Sequence, residues 1–209
     1  MKAHTKETQA TMTPAKALHY LKEGNQRFQN NLSANRNLLQ QVNETVDGQF
    51  PFATILSCID SRVSAELVFD QGLGDIFSIR IAGNFINEDI LGSMEFASKL
   101  AGTKLIVVLG HTSCGAIKGA CDHARLGNLT KLIQKIEPAV EAVEEPKDEK
   151  LRNSGNLEFV DAVAATNVHL AIDNIRIHSP ILAEMEKNDE IIIVGAMYNI
   201  SNGEVTFGI

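Results

Sequence analysis

The sequence has little of what defines several common protein classes. It contains no Trp, and its 26 acidic residues outnumber the 19 basic ones, giving a net charge of −7 over 209 residues. An acidic balance argues against a nucleic-acid surface, which needs a basic face. No stretch approaches the roughly 20 apolar residues that cross a bilayer, and the polar N-terminus lacks the apolar segment of a secretory signal. We therefore expect neither nucleic acid nor a membrane as a partner.

Cysteine is also scarce. Three cysteines are too few for a disulfide framework and odd in number, which favours free thiols in a reducing, cytoplasmic setting. Hydrophobic residues at 44% and charged residues at 22% are ordinary for a globular protein. A chain of this length buries a sizeable core without disulfides, so its thiols are available to bind metal.

The apolar pattern predicts a sheet alternating with helices. Four short, β-branched runs without alternation indicate buried parallel strands: Phe52–Ser57, Ile76–Ile81, Leu105–Leu109 and Ile191–Ala196. Helical spacing lies between and after them, over Leu91–Leu100, 115–124, Leu157–Ile177 and 180–187. We therefore predict an α/β fold with a mainly parallel β-sheet core flanked by helices. The tail Glu204–Gly208 predicts an added edge strand after an Asn-Gly turn.

The N-terminal quarter of the chain lacks this alternation of strands and helices. A Thr-Pro pair followed by apolar residues at helical spacing predicts a helix over residues 14–30. The polar stretch 31–49 predicts an extended connector. The chain therefore divides into an N-terminal helical arm with its connector, residues 1–50, and an α/β domain, residues 51–209.

Chemically distinctive residues follow two of the predicted strands. The first strand ends in CIDSR (residues 58–62) and the third in GHTSCG (residues 110–115). In open α/β sheets the ligand crevice lies outside the carboxyl ends of the strands. If these two strands are neighbours, two thiols and an imidazole meet there, a donor set that suits tetrahedral zinc with one position left for water. The alternative is that Cys58 is only a small core residue and that the histidine segment starts a capped helix.

CIDSR followed about fifty residues later by HTSCG resembles the C-x-D-x-R and H-x-x-C pattern of β-class carbonic anhydrases. The intervening RIAGNF and GSMEFA segments are similar too, so that the resemblance runs from about Pro51 to Ala120. It implies the β-carbonic anhydrase fold and an enzyme that reversibly hydrates carbon dioxide to bicarbonate and a proton. By this resemblance Cys58, His111 and Cys114 bind one Zn²⁺ per subunit.

The same resemblance makes Asp60 and Arg62 a catalytic dyad. Asp60 would accept a hydrogen bond from zinc-bound water and orient hydroxide for its attack, while Arg62 keeps the carboxylate ionised. In some relatives this aspartate moves onto the metal, so Asp60 is also a candidate ligand, and its displacement by hydroxide would make activity climb at alkaline pH. The alternative for the pair is a helix N-cap with a surface ion pair.

The substrate pocket is implied by position within the resemblance. Gln49 would donate its amide to a bound oxyanion, and Gly115 would offer a backbone N–H near the metal. Phe77, Ala82 and Phe96 would form an apolar wall, with ordinary core packing as the alternative for these three. Phe96 stands where many relatives have Tyr, which puts the rate in doubt rather than the reaction type.

Further expectations concern residues outside these motifs. Cys121 is predicted to be a buried thiol, and Glu95 a buried carboxylate paired with an arginine, for which Arg80 is a candidate. The resemblance implies a homodimer or homotetramer in which the helix over residues 14–30 packs across a neighbouring subunit, with packing on its own domain as the alternative.

Two other functions compete with carbon dioxide hydration. A hydrolase of carbon disulfide or carbonyl sulfide uses the same scaffold and metal. A zinc-binding protein without catalytic activity is the other possibility, and the intact dyad argues against it.

Overall fold

The computed structural model describes residues 2–209, which form a five-stranded sheet with helices on both faces. The strands are β1 (Ala53–Ser57), β2 (Ile76–Arg80), β3 (Leu105–His111), β4 (Ile192–Tyr198) and β5 (Val205–Phe207). Their order is β2-β1-β3-β4-β5, and only the β4–β5 pair is antiparallel. Every residue of β1 and β3 is buried, as expected for strands covered on both faces. The predicted mainly parallel sheet and its edge strand are confirmed.

Ten α-helices are described within this range. They are α1 (Lys6–Ala10), α2 (Pro14–Gln29), α3 (Leu38–Glu44), α4 (Ala65–Val68), α5 (Glu88–Glu95), α6 (Gly115–Cys121), α7 (Gly127–Gln134), α8 (Glu137–Ala142), α9 (Leu157–His178) and α10 (Pro180–Lys187). A π-helical turn over Phe96–Leu100 continues α5, and a 3₁₀ turn covers Glu149–Leu151. None of the helices described is both long and apolar enough to cross a membrane.

The connector after α2 was predicted to be wholly extended, and this prediction is wrong. Helix α3 lies within it, and it begins where the side chain of Asn37 accepts a hydrogen bond from the backbone N–H of Gln40. Such an N-cap satisfies one of the free amides of a helix's first turn. The side chain of Gln41 on this helix is buried and accepts a hydrogen bond from the backbone N–H of Leu73. The apolar residues Leu38, Leu39 and Val42 of α3 are exposed, so the N-cap and the contacts of Gln41, rather than burial of an apolar face, support this helix in the chain.

Helix α2 packs on its own sheet. Ala17 and Leu21 are fully buried in one apolar cluster with Phe52 and other residues of the sheet face. Asn25 donates from Nδ2 to the Gly203 carbonyl (2.9 Å) and accepts from the N–H of Val205 (2.9 Å). The expectation that this helix packs across a neighbouring subunit is therefore wrong for its buried face. Packing on its own domain, the alternative, is what the structure has.

The core divides into three apolar clusters. One lies under α2 and α4 on one face of the sheet, and a second lies on the opposite face under α5, α9 and α10. The third sits beyond the carboxyl ends of β1 and β3, between α6, α8 and α9, and includes the side chains of Cys58 and Cys114. The sheet therefore delivers both thiols into an apolar region where solvent is scarce.

Candidate metal centre

Three predicted ligands meet at the carboxyl end of the sheet. Cys58 is the first residue after β1, His111 ends β3, and Cys114 is the N-cap of α6. The strands β1 and β3 are neighbours, which was the condition for their convergence. The donor atoms of the three side chains all lie within 4.8 Å of one another, with 3.8 Å between the two sulfurs. All three residues are buried, so this is a preformed set of two sulfurs and one nitrogen.

His111 is held with one ring nitrogen turned toward the sulfurs. Its Nδ1 lies 3.0 Å from the carbonyl oxygen of Thr112, which fixes the proton on Nδ1 and leaves the lone pair on Nε2. Nε2 is buried and has no hydrogen-bond partner among the described residues. Because buried polar atoms are nearly always partnered, this atom indicates that a bound group belongs here, and a metal ion fits it.

The thiols are arranged to carry negative charge. A hydrogen bond from Cys114 lowers the pKa of Cys58 far below its ordinary value, and the same contact raises the pKa of Cys114. The contact between the two sulfurs therefore favours ionisation of Cys58 before Cys114. Gly83 donates its backbone N–H to the Cys58 sulfur (3.4 Å), and backbone amides of Ala116 and Ile117, in the first turn of α6, favour the Cys114 thiolate. Thiolate is the form that zinc requires.

Asp60 and Arg62 form a two-point ion pair beside the cluster. Arg62 donates from Nε to Oδ1 (2.9 Å) and from Nη2 to Oδ2 (2.7 Å), and its backbone N–H donates to Oδ1 (3.0 Å). Hydrogen bonding by Arg62 lowers the pKa of Asp60 well below its usual range. The Oδ2 atom lies 4.0 Å from Nε2 of His111. The structure thus places Asp60 next to the ligand set, engaged with Arg62, and does not bring it in as a fourth ligand.

Arg80 has a role that the sequence interpretation missed. It was expected to pair with Glu95, but Glu95 instead accepts a hydrogen bond from the Ser179 hydroxyl (2.5 Å). Arg80 donates from Nε to the Cys58 carbonyl (3.1 Å) and from Nη2 to the Asp60 carbonyl (2.7 Å). It can do so because it ends β2 opposite the last residue of β1. Its place at the carboxyl end of a predicted neighbouring strand was the signal that could have identified it.

Two of the predicted pocket residues adjoin, in the chain, a ligand or a residue that contacts a ligand. Gly115 follows Cys114, and a Cβ built on it would meet no atom within 4 Å. Open space therefore lies beside Gly115, the residue that follows the ligand Cys114. Ala82 precedes Gly83, the residue whose amide contacts the Cys58 sulfur.

The other three predicted pocket residues lie elsewhere in the described chain. Gln49 is exposed and lines a surface cavity with Val42 and Leu73. The rings of Phe77 and Phe96 pack against each other, 6.2 Å apart, beside a second surface cavity. Neither cavity is lined by any of the three candidate metal ligands. The single chain therefore does not assemble the whole predicted pocket.

Comparison with known proteins gives a consistent result. A family model described as Carbonic anhydrase matches residues 53–205. Carbonic anhydrase 2 of Mycobacterium tuberculosis H37Rv is 36% identical over 202 residues, spanning 91% of this chain and 90% of that protein. A carbonic anhydrase of Mycolicibacterium smegmatis is 34% identical over 199 residues, spanning 92% of both chains.

Solved structures show the same fold. The β-carbonic anhydrase CcaA superposes with a TM-score of 0.67 at 26% identity, covering 91% of this chain and 94% of that one. The Coccomyxa β-carbonic anhydrase, solved in complex with acetazolamide, gives a TM-score of 0.69 at 22% identity, covering 88% and 82% of the two chains.

Proposed function

This chain belongs to the β class of the carbonic anhydrase family, and from that premise we propose that it reversibly hydrates carbon dioxide to bicarbonate and a proton at the Cys58–His111–Cys114 centre. The observation that supports this most directly is the buried, unpartnered Nε2 atom of His111 beside two sulfurs. Two thiolates and an imidazole are a donor set that zinc prefers.

The three side chains would hold one Zn²⁺ and leave its fourth position free. Zinc bound there would act as a Lewis acid and lower the pKa of water to about 7. Cys58 and Cys114 would balance the charge of the ion, and His111, fixed by the Thr112 carbonyl, would present its lone pair without rotating.

Asp60 orients the attacking water in this proposal. Arg62 occupies two lone-pair sites on Oδ1 and one on Oδ2, and an ionised carboxylate has about four such sites. The Oδ2 atom, 4.0 Å from Nε2 of His111, therefore retains a site that faces the centre. A water that donates a hydrogen bond to Oδ2 would be aligned toward carbon dioxide in the open space beside Gly115. Because Arg62 holds both oxygens, we propose that Asp60 remains off the metal and that activity does not depend on its displacement at alkaline pH.

The active unit is proposed to be a homodimer or a homotetramer. The strand β2 is an edge of the sheet, and the side of the molecule near it exposes large apolar side chains, including Phe96 (51%) and Leu100 (76%). Exposed apolar surface of this kind is typical of protein interfaces. A neighbouring subunit would cover this side, and Gln49, Phe77 and Phe96 would serve the centre of that neighbour.

A reducing compartment, the cytoplasm, is the proposed location. The sulfurs of Cys58 and Cys114 lie 3.8 Å apart, and one of them is readily ionised. Such a pair is prone to oxidation without a reducing environment or a bound metal.

Metal analysis combined with stopped-flow hydration of carbon dioxide tests the proposal. We expect one zinc per chain and a hydration rate that falls to the buffer background when a chelator removes the metal and returns when zinc is restored. Purified protein without stoichiometric zinc would contradict the metal site. Zinc without hydration would indicate a non-catalytic protein, and faster turnover of carbon disulfide or carbonyl sulfide would indicate the alternative hydrolase.

A further inference from the structure

Helix α9 lies directly behind the loops that bear the metal ligands. It approaches β3 closely at Gly110, where an added Cβ would lie 2.6 Å from the Met197 sulfur and 2.7 Å from a methyl group of Val168 on α9. Only a glycine fits that space, and the next residue along the chain is His111. The 22 residues of α9, anchored by nine buried side chains, form a rigid support at this end of the sheet.

One side chain of α9 reaches the loop that contacts Cys58. Asn167 is buried, with 4% of its surface exposed, and its Nδ2 donates to the Gly83 carbonyl at 2.8 Å. The N–H of the same glycine donates to the Cys58 sulfur. Gly83 has a φ of +78°, and a Cβ there would lie 2.4 Å from Ile136. The loop therefore passes through a narrow gap, and Asn167 holds Gly83 from its carbonyl side while the N–H of the same residue contacts the Cys58 sulfur.

A second side chain of α9 reaches the other loop. Asp161 accepts a hydrogen bond from the backbone N–H of Ser113 at 2.8 Å. Ser113 has a φ of +54°, a left-handed conformation that costs a residue with a side chain about 1–2 kcal/mol. This residue sits between His111 and Cys114, so the turn at Ser113 sets the separation of the two ligands. Asp161 stabilises that turn from outside.

We propose that Asn167 and Asp161 are positioning residues for the metal, through which α9 holds both ligand loops in the binding geometry before the ion arrives. Each side chain hydrogen-bonds to a backbone group of a ligand loop, Asp161 to the Ser113 N–H and Asn167 to the Gly83 carbonyl. This inference rests on the proposed zinc site. Hydrogen-bonded groups just outside a metal's ligands commonly change its affinity by 10–100-fold, so the effect is measurable apart from catalysis.

A purely structural role makes a different prediction. If these side chains only stabilise the fold, their replacement lowers the melting temperature of the metal-free protein but leaves the zinc affinity of the folded molecules unchanged. If they position the ligands, zinc affinity falls in variants that remain folded. The sulfur-to-metal charge-transfer absorption of the cobalt-substituted protein also changes, because it depends on the placement of the two sulfurs.

The experiment compares the full-length protein with Asn167→Ala, Asp161→Ala and Asp161→Asn. Zinc dissociation constants are measured by chelator competition, cobalt spectra are recorded, and circular dichroism confirms folding. We expect zinc to bind about 10–100-fold more weakly in the two alanine variants. Asp161→Asn keeps an oxygen acceptor for the Ser113 amide and should bind zinc much as the unmodified protein does. Asn174→Ala and Asp173→Asn, at exposed positions of the same helix, are the matched controls.

The outcomes separate the two proposals. An unmodified protein that binds no zinc contradicts the proposed function itself. An unmodified protein that binds zinc, with folded alanine variants of equal affinity and unaltered cobalt spectra, overturns the positioning role alone. Should Asn167→Ala fail to fold, the contrast between Asp161→Ala and Asp161→Asn decides, because equal zinc affinities in that pair contradict the proposal.

Discussion

Two regions of the molecule differ in how much of a site a single chain provides. One is the carboxyl end of the sheet, and the other is the connector side, the surface around residues 31–49. At the sheet end, Cys58, His111 and Cys114 are at most 3% exposed, and backbone groups fix their orientations. On the connector side, Gln49 is exposed and lies beside a cavity that no candidate ligand lines. One region is ready for its ion within a single chain, whereas the other has a predicted role that needs a neighbour.

The difference shows what a parallel sheet does for a site. The carboxyl ends of adjacent parallel strands lie side by side, so residues at or just after the ends of β1, β2 and β3 meet within one chain. A residue on a peripheral connector has no such constraint, and its partner is set by association. The predictions below test this contrast, from the largest expected effect to the smallest.

Removing a ligand sulfur should abolish the centre. In Cys114→Ser a hydroxyl replaces the thiolate that zinc prefers, so we expect less than stoichiometric zinc and hydration near the buffer background. Metal analysis and stopped-flow assays measure both.

Cys121→Ser is the matched control for this change. Cys121 lies at the other end of α6 and is equally buried, but it is outside the ligand group. Burial raises its pKa to about 11, so it stays a neutral thiol at physiological pH. Full zinc occupancy in Cys114→Ser, or equal zinc loss in both variants, would refute the assigned ligand set.

Replacing the orienting carboxylate should separate turnover from metal binding. Asp60→Asn loses the charge that pairs with Arg62 but keeps a similar shape, so we expect zinc to remain and the hydration rate to fall by about 10²–10⁴-fold, the range for a positioned acid–base group. Asp122→Asn is the control, because Asp122 also accepts a backbone hydrogen bond (from Ser154, 2.8 Å) but lies outside the site. Unchanged turnover in Asp60→Asn would contradict its role.

Much of this region could be predicted from the sequence because the signals are local. Short β-branched runs predicted the positions of the strands. Cys58, His111 and Cys114, which follow two of these runs, were assigned to the metal by their chemistry and by the resemblance of their motifs to known enzymes. The Asp60–Arg62 contact spans two residues, which a motif can encode. The rule that ligand sites lie at the carboxyl ends of parallel strands then predicted that the segments after β1 and β3 meet.

The parts that could not be predicted depend on tertiary contacts. Asn167 meets Gly83 across 84 residues, and Arg80 reaches the Cys58 loop only through the register of β2 with β1. For α2, periodicity indicated an apolar face but not what covers that face, and the expectation of a neighbouring subunit was wrong for its buried residues. For α3, Leu38, Leu39 and Val42 stand at helical spacing, but the run is short and these side chains are exposed, so it did not stand out from the polar residues around it.

Mixing two impaired variants tests whether Gln49, at the end of the connector, contributes to the metal centre of a neighbouring subunit. Gln49→Ala should lower hydration by about 100-fold, the scale for losing one donor to a developing oxyanion, while retaining zinc. In a mixed dimer with Cys114→Ser, one site would combine an intact metal centre with an intact Gln49 from the other subunit. Co-refolding the two variants should therefore restore activity well above that of either alone.

The same mixing with Asp60→Asn in place of Gln49→Ala is the control. Asp60 and Cys114 belong to the centre of one chain, so no mixed dimer contains an intact site and activity should stay low. If Gln49→Ala also shows no recovery, although mixed dimers are present by mass spectrometry, then Gln49 acts within its own chain or not at all. In both cases Gln49 would not depend on a neighbouring subunit, and the proposed difference between the connector side and the sheet end would be wrong.

The smallest effect on catalysis is expected from the ion cluster that ties the connector to the body. Asp70 is buried, with 4% of its side chain exposed, and pairs with both Arg27 and Arg36 while accepting the N–H of Ala34. Burial by itself would raise the pKa of Asp70, but hydrogen bonds from the two arginines lower it below its ordinary value. Asp70→Asn removes the negative charge that faces Arg27 and Arg36, a loss of about 3–5 kcal/mol in the free energy of unfolding at neutral pH.

The pH dependence of this loss identifies its cause. Since the folded-state pKa lies below the unfolded value of about 3.9, the ionised carboxylate stabilises the protein fully above that pH and progressively less as pH falls through the folded-state pKa. The stability gap between Asp70→Asn and the unmodified protein, measured by urea unfolding, should therefore narrow below about pH 4. Asn tolerates the left-handed backbone at this position (φ +46°), so the stability gap reports the lost charge rather than backbone strain.

Asp189→Asn is the control, at an exposed aspartate with a φ of +57°. It should differ very little in stability from the unmodified protein at any pH. A stability gap at Asp70 that stayed constant down to pH 3 would contradict its electrostatic origin. The zinc content of Asp70→Asn is a separate measurement. If it equals that of the unmodified protein, the metal centre at the sheet end does not depend on the ion pairs that hold the connector.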